Sequence, residues 1–317
     1  MTVVLNLPMA RFQFELQART VLSFPPYAGS TWRGAFGTAL KRTVCVTRQP
    51  SCAGCLLQRS CVYSQVFETP AGAEPLLSKG NAAPHPFILH PLATSGQQYQ
   101  AGENLRIQLT LLGQSIGHLP YFIHSIQQMG ERGVGAKQGQ YELLKVWQEQ
   151  RLGAEDWQLI YAAPQRQLSP LNLLSPSLPA APDQLRLVFK TPFRARHGGR
   201  LVHETLFELP SFMVGLIRRL SLLSAYHTPA RLEVDFKQLR EQAQQLTALD
   251  TAFNWFEWTR YSSRQQSLIA MDGLLGSFSL AGDDWQAFWP WLWWGQWVHA
   301  GKGTVMGQGQ FQLENVT

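Results

Sequence analysis

The stretch Gly303-Thr304-Val305-Met306-Gly307-Gln308-Gly309-Gln310-Phe311-Gln312-Leu313-Glu314-Asn315-Val316 decides the reading of this chain, because an earlier stretch answers it. Gly133, Gly139, Gln140, Tyr141, Leu143 and Val146 stand at a constant offset of 170 from Gly303, Gly309, Gln310, Phe311, Leu313 and Val316. A shared offset that runs through a glycine turn and into the alternating strand after it is what a duplicated fold leaves behind. Two unrelated glycine turns are the competing reading; duplication is preferred.

Outward from these turns, both halves carry one rhythm. In the first, Phe12, Phe14 and Leu16 alternate with polar residues as in a half-buried strand. Pro25 and Pro26 break it, and Ser30 opens a helix with Trp32, Phe36 and Leu40 four apart. Leu105, Ile107, Leu109 and Leu111 mark a second strand, Leu119 to Met129 a helix, and Tyr141 to Val146 a closing strand. In the second half, Leu185, Leu187 and Phe189 suggest a strand and Phe207 to Tyr226 a long amphipathic helix. Phe256 to Ser262 and Leu268 to Leu280 read as two strands, and Trp285 to Val298 as a helix before the last turn and strand. Strand, helix, strands, helix, strand is the order of a ferredoxin-like unit.

The expected fold class is therefore α+β: tandem ferredoxin-like (RRM-like) domains over residues 1–165 and 183–317, with a cysteine-rich insertion, 43–70, in the first. Five prolines between Ala162 and Pro182 mark the linker. Such units leave loops and a sheet face for RNA.

The net charge is +6, and the basic residues are 20 Arg against 7 Lys. Arginine's planar fork matches phosphates and base edges, so the skew leans toward nucleic acid; a solvated basic surface is the bland alternative. Met1 to Pro8 lacks the basic and apolar regions of a secretory signal. The aromatic stretch from Trp285 to Val298 is too short to span a bilayer and holds Pro290 and Gly295. The expected location is the cytoplasm, with no membrane partner, where four cysteines within 17 residues are poor candidates for disulfides.

Three constellations carry chemistry. The first is Gly301-Lys302-Gly303 through Gly307-Gln308-Gly309: closely spaced glycines let backbone N–H groups approach one anion, and Lys302 adds charge. It is not a P-loop, since a strand follows and the lysine comes early; a tight structural turn is the alternative. The second is Arg260-Tyr261-Ser262-Ser263-Arg264, which combines phosphate-binding cations with aromatics such as Trp255 and Trp258. The third is Cys45, Cys52, Cys55 and Cys61, spaced C-x6-C-x2-C-x5-C. The Cys52/Cys55 pair has the spacing of a metal knuckle and the outer two complete a four-thiolate set, so a structural zinc is expected; an iron–sulfur cluster or free thiols are the alternatives.

Four protein ligands leave no open position for catalytic zinc, and no carboxylate cluster suggests a two-metal nuclease. Among eight histidines, His299 is the strongest candidate for acid–base work, with Lys302 beside it. The tryptophans from Trp285 to Trp297 read as packing rather than a stacking platform, because they cover more than one helix face.

Taken together these segments resemble the repeat-specific endoribonuclease of CRISPR systems, the processing member of the RAMP superfamily. The likeness is carried by Leu206–Leu223, by Trp258-Thr259-Arg260-Tyr261-Ser262-Ser263-Arg264, by Gly273-Leu274-Leu275-Gly276, and by His299-Ala300-Gly301-Lys302-Gly303-Thr304 through Gly309. Trp32-Arg33-Gly34-Ala35-Phe36-Gly37 and Cys61-Val62-Tyr63 extend it loosely into the first half.

The resemblance implies cleavage of precursor CRISPR RNA within its repeats without a catalytic metal. The ribose 2′-OH attacks, and a 2′,3′-cyclic phosphate and a 5′-OH result. It also implies retention of the guide RNA and association with other CRISPR effector subunits. Relatives use a histidine near the first helix; here no histidine precedes His85. Tyr27, Arg33 and Lys41 occupy that neighbourhood as catalytic candidates, with Arg42 among the RNA-binding ones. Otherwise His299 with Lys302 supplies the chemistry, or the protein is a non-catalytic RAMP subunit that only binds guide RNA.

Overall fold

The computed structural model describes residues 7–70, 83–92, 98–165, 167–172, 177–229, 232–262 and 266–315. They fall into two compact units, one of residues 7–172 with 222–229, the other of 177–221 with 232–315. Arg264 lies outside the described residues, as do residues 71–82 of the glycine- and proline-rich passage.

The first unit runs β1 (Met9–Ala18), β2 (Leu22–Ser23), α1 (Gly29–Val44), α2 (Val62–Phe67), β3 (Phe87–Pro91), β4 (Gln98–Tyr99), β5 (Asn104–Leu112), α3 (Leu119–Arg132), β6 (Tyr141–Glu149) and β7 (Trp157–Ala162). Its main sheet has the order β3-β5-β1-β6-β7, antiparallel throughout. With β7 set aside, that is a β-α-β-β-α-β unit whose first strand lies centrally, as a ferredoxin-like unit requires. Phe12, Phe14 and Leu16 of β1 are fully buried, and α1 and α3 meet where Phe36 stacks on Phe122 with ring centroids 4.8 Å apart. Strand alternation sends Arg11 and Gln13 to the opposite face, where both are nonetheless buried. Arg11 Nη1 pairs there with Glu149 Oε2 at 2.6 Å.

The second unit runs β8 (Gln184–Phe193), β9 (Arg196–His197), β10 (Arg200–Leu201), α4 (Leu209–His227, whose last turn falls in the first unit), α5 (Phe236–Ala243), β11 (Leu249–Phe256), β12 (Thr259–Ser262), β13 (Ser267–Ala270), β14 (Gly273–Ala281), α6 (Trp289–Val298) and β15 (Phe311–Asn315). Its sheet order β11-β14-β8-β15 repeats the first pattern. Phe189 of β8 stacks on Phe193 at 4.8 Å, and Phe212, Phe278 and Phe311 close the core around them.

The duplication is visible bond by bond. In the first unit the Gln140 carbonyl accepts from the N–H groups of Arg19 (2.8 Å) and Thr20 (3.2 Å), and the Gln140 N–H donates to Thr20 Oγ1 at 2.8 Å. In the second, the Gln310 carbonyl accepts from Lys190 (2.9 Å) and Thr191 (3.4 Å), and its N–H donates to Thr191 Oγ1 at 2.8 Å.

Several elements differ from their sequence reading. Strand β3 sits in the proline-flanked passage before Leu92, where the short run Phe87-Ile88-Leu89 carries too little alternation to announce a strand. Helix α5 begins at an Asp235 cap that accepts from the Gln238 N–H. The strand expected over Phe256–Ser262 is the junction of β11 and β12, and Leu268–Leu280 is split between β13 and β14. The break falls at Met271-Asp272, where the Asp272 carboxylate takes the Trp258 N–H at 3.0 Å. Part of the proline-rich passage read as linker is anchored: Gln148 and Asn172 exchange two hydrogen bonds of 2.6 and 3.1 Å.

Candidate nucleic-acid interface

The run from His299 to Gln310 folds onto itself. Ala300 N–H donates to the Gly309 carbonyl (2.9 Å), Met306 to Gly303 (2.9 Å), Gly307 to Thr304 (2.9 Å), and Gly309 to Pro192 (3.0 Å). Thr191 Oγ1 closes the loop on the Gly307 carbonyl at 2.7 Å. Here glycine serves close packing. At Gly309, whose φ is +68°, a Cβ would fall on the Ala300 carbonyl oxygen; at Gly303, with φ +77°, it would fall on Gln308 Oε1.

Most N–H groups of the run thus have acceptors within the protein. Among the described residues, those of Gly301, Gly303, Thr304 and Val305 take no protein acceptor. Lys302 is exposed at the apex.

The tertiary structure joins this loop to the hairpin that carries Arg260. Lys302 N–H donates to the Arg194 carbonyl at 2.7 Å, and Arg194 Nη2 donates to the Ala270 carbonyl on β13 at 3.1 Å. Gln308, fully buried, donates from Nε2 to the Met271 carbonyl at 2.9 Å. Arg260 lies opposite Ile269 in the β12–β13 ladder, half-buried, and its Nε has no acceptor among the described residues. The glycine loop, the end of β8 and the Arg260 hairpin therefore form one connected surface of the second unit. Arg194 had no signal in the sequence, since its role rests on a carbonyl and on a partner 76 residues away.

His299 is buried and sits at the end of α6 with φ +59°. Its Nδ1 lies 3.1 Å from the Gln308 carbonyl oxygen. That geometry suits a residue that fixes the loop better than one presented to a substrate. The tryptophans pack as expected: Trp285, Trp291 and Trp294 are buried, and Trp289 donates to the Pro179 carbonyl at 2.7 Å.

In the first unit, Tyr27 is half-buried just before α1. Arg33 lies over the Phe67 ring at 4.8 Å, and Lys41 lies over the Tyr63 ring at 5.5 Å while its Nζ donates to the Pro50 carbonyl at 3.0 Å. Tyr63 and Phe67 are themselves stacked at 5.3 Å. Burial, with Glu68 nearby, pushes the Tyr63 phenol above its usual range. Arg33, Lys41 and Tyr63 are thus gathered on one α1–α2 surface, with Arg42 exposed next to them.

Cys45, Cys52, Cys55 and Cys61 line a single cavity of about 360 Å³ with Tyr63 and Tyr121. Thr47 Oγ1 lies 3.5 Å from Cys55 Sγ and 3.9 Å from Cys45 Sγ. Burial pushes the Cys52 thiol up to about 11, whereas the Thr47 hydroxyl lowers that of Cys55. Among the described residues no three Cys, His, Asp or Glu side chains are gathered as a metal site. No helix among them is long and apolar enough to cross a membrane.

The chain thus holds two repeated βαββαβ units, the second ending in a locked glycine loop beside an arginine-bearing hairpin. Residues 187–311 match the family model of the CRISPR-associated endoribonuclease Cas6, and residues 7–173 match that of the AF_1859_N N-terminal domain. The AF_1859_N match spans more than half of the chain, which belongs to that family, and the Cas6 match lies within the second unit. An uncharacterized protein of Archaeoglobus fulgidus is 25% identical over 123 residues, a match spanning 38% of this chain and 40% of that relative. The product complex of Thermus thermophilus Cas6 (TTHB231) is 16% identical, with a TM-score of 0.58 over 96% of this chain and 100% of the other. A partial Cas6-RT-Cas1–Cas2 complex is 11% identical, with a TM-score of 0.56 over the whole of this chain and 47% of that one.

Proposed function

We propose that this protein is an endoribonuclease that cuts precursor CRISPR RNA within each repeat and keeps the mature guide. The observation that carries the reading is the connection of the glycine loop to the Arg260 hairpin through Arg194 and Gln308, within the range that matches the Cas6 model. On this reading Lys302, Arg260 and the open N–H groups of Gly301 and Gly303 hold the RNA backbone, and the hydrogen bonds of Arg194 and Gln308 that tie loop to hairpin support it. The reaction is attack of the ribose 2′-OH on the adjacent phosphate, with a 2′,3′-cyclic phosphate and a 5′-OH as products and no metal required. A base must take the 2′-OH proton, an acid must protonate the leaving oxygen, and cations must meet the phosphorane charge.

Tyr27, Arg33 and Lys41 are the candidates for that chemistry in the first unit. His299 acts by holding the loop. The cytoplasm is the expected setting, and other CRISPR proteins are partners by analogy with the Cas6-RT-Cas1–Cas2 assembly. A structural zinc in the cysteine cavity has only the C-x6-C-x2-C-x5-C spacing as its support and takes no part in the reaction.

The test is incubation of purified protein with the repeat RNA of its own array in EDTA. Cleavage that is abolished by a 2′-deoxy substitution at the cut supports the reading. Tight binding without cleavage would establish the second reading, a guide-binding RAMP subunit, which the burial of His299 specifically favours. No binding would sink both.

A further inference from the structure

Arg219 sits on α4 at the entrance of the glycine run. Its Nε donates to the last two carbonyls of that entrance, Val298 at 2.9 Å and His299 at 3.1 Å. Basic side chains do hydrogen-bond the final carbonyls of helices, and the negative end of the helix dipole favours them. A cap of that kind does not account for the rest of this side chain. The terminal nitrogens of Arg219 meet no acceptor among the described residues, and no carboxylate there lies within ion-pair distance. Burial is strong enough to lower its pKa to about 10.

Arg219 is half-buried, and a partly desolvated cation favours an anion that answers it. Such groups cluster at functional sites. Arg194, on the other flank of the loop, is in a similar state: one terminal nitrogen is taken by the Ala270 carbonyl and the other, Nη1, has no acceptor. Exposed Lys302 stands in the glycine run itself, with its N–H on the Arg194 carbonyl. The loop is thus flanked by positive charge: Asp272 acts on Arg194 without an ion pair among the described residues, and no described carboxylate lies within ion-pair distance of Arg219.

We infer that Arg219 is a phosphate-binding residue: fixed by Nε on the Val298 and His299 carbonyls, it offers its two terminal nitrogens to an RNA backbone phosphate beside the glycine run. This rests on the RNA-processing reading above. The planar fork with Nε occupied leaves its outer edge in the geometry that pairs with two phosphate oxygens. Anchoring by main-chain carbonyls also pre-orients the group, so little side-chain freedom is lost on binding.

The probe is a fluorescein-labelled copy of the repeat RNA, with its affinity measured across a salt series. Each phosphate contact contributes a slope of about 0.7 in the logarithm of affinity against that of salt for single-stranded RNA. Arg219→Gln keeps a donor for the carbonyls and removes the charge; the slope is expected to fall by about 0.7, and Arg219→Lys to restore most of it. An unchanged slope in a variant that still binds overturns the inference, because a purely structural cap predicts lower stability at constant slope. If Arg219→Gln does not fold, the wild-type protein decides: RNA should protect Arg219 from phenylglyoxal, located by mass spectrometry. Equal labelling with and without RNA, including none in either, refutes the proposal. Absence of RNA binding by the wild type at any salt is a different failure and removes the RNA reading itself.

Discussion

The Gln310 N–H donates to the Thr191 hydroxyl at 2.8 Å, and the same hydroxyl donates to the Gly307 carbonyl at 2.7 Å. One buried side chain thereby fastens the last strand and the glycine loop to β8. Thr20 holds Gln140 in the same manner in the first unit, but at an exposed position. Thr191→Val retains the shape and strands a buried N–H and a buried carbonyl, each worth about 1–3 kcal/mol. Chemical denaturation should show a loss of about 2 kcal/mol or more for Thr191→Val and clearly less for Thr20→Val.

Gly309 is constrained twice, by a φ of +68° and by the Ala300 carbonyl oxygen, which stands where a Cβ would go. Gly309→Ala should destabilise the second unit by more than about 2 kcal/mol, since neither the backbone nor the carbonyl can yield cheaply. Gly34→Ala is the control: nothing lies within 4 Å of its added Cβ, and it sits inside α1. It should be neutral or slightly stabilising by thermal melting.

His90 faces Gln108 across the β3–β5 ladder, on the face that also carries Arg11. Burial first, and the Arg11 charge second, lower it from 6.5 to about 4. The unfolded chain then binds a proton that the folded chain refuses, so stability is complete above pH 6.5 and is lost as pH falls toward 4. The loss should reach about 2–3 kcal/mol, and His90→Gln should flatten that part of the pH–stability curve.

The division of labour between the two halves is open to kinetics. Lys41→Ala and Tyr27→Phe should slow single-turnover cleavage about 10²-fold or more, within the range for loss of a proton-transfer group, while RNA affinity changes little. His299→Ala should instead lower stability and weaken binding. A selective fall in the cleavage rate with intact binding for His299→Ala would return the acid–base role to that residue.

Metal analysis addresses the cysteines. A structural zinc predicts about one zinc per chain, lost with stability in Cys52→Ser or Cys55→Ser. A metal-free protein with an unchanged melting temperature would leave the cavity a pocket of free thiols.

What the sequence determined by itself is the repeated architecture. The offset from Gly133 to Gly303 and the alternations of β1, β5 and β8 are local signals, because strand and helix periods are written into neighbouring residues. Elements whose stability comes from distant partners were not legible: β3 between its prolines, α5 behind its Asp235 cap, and Asn172 pinned to Gln148 within a passage that reads as linker. The sequence also named Lys302 and Arg260 as binders, on residue type alone. Only the tertiary structure decided that His299 is buried, that Arg194 links the loop to the hairpin, and that no described carboxylate pairs with Arg219. Burial, hydrogen bonding to carbonyls and ion pairing are properties of long-range packing, and no spacing along the chain encodes them.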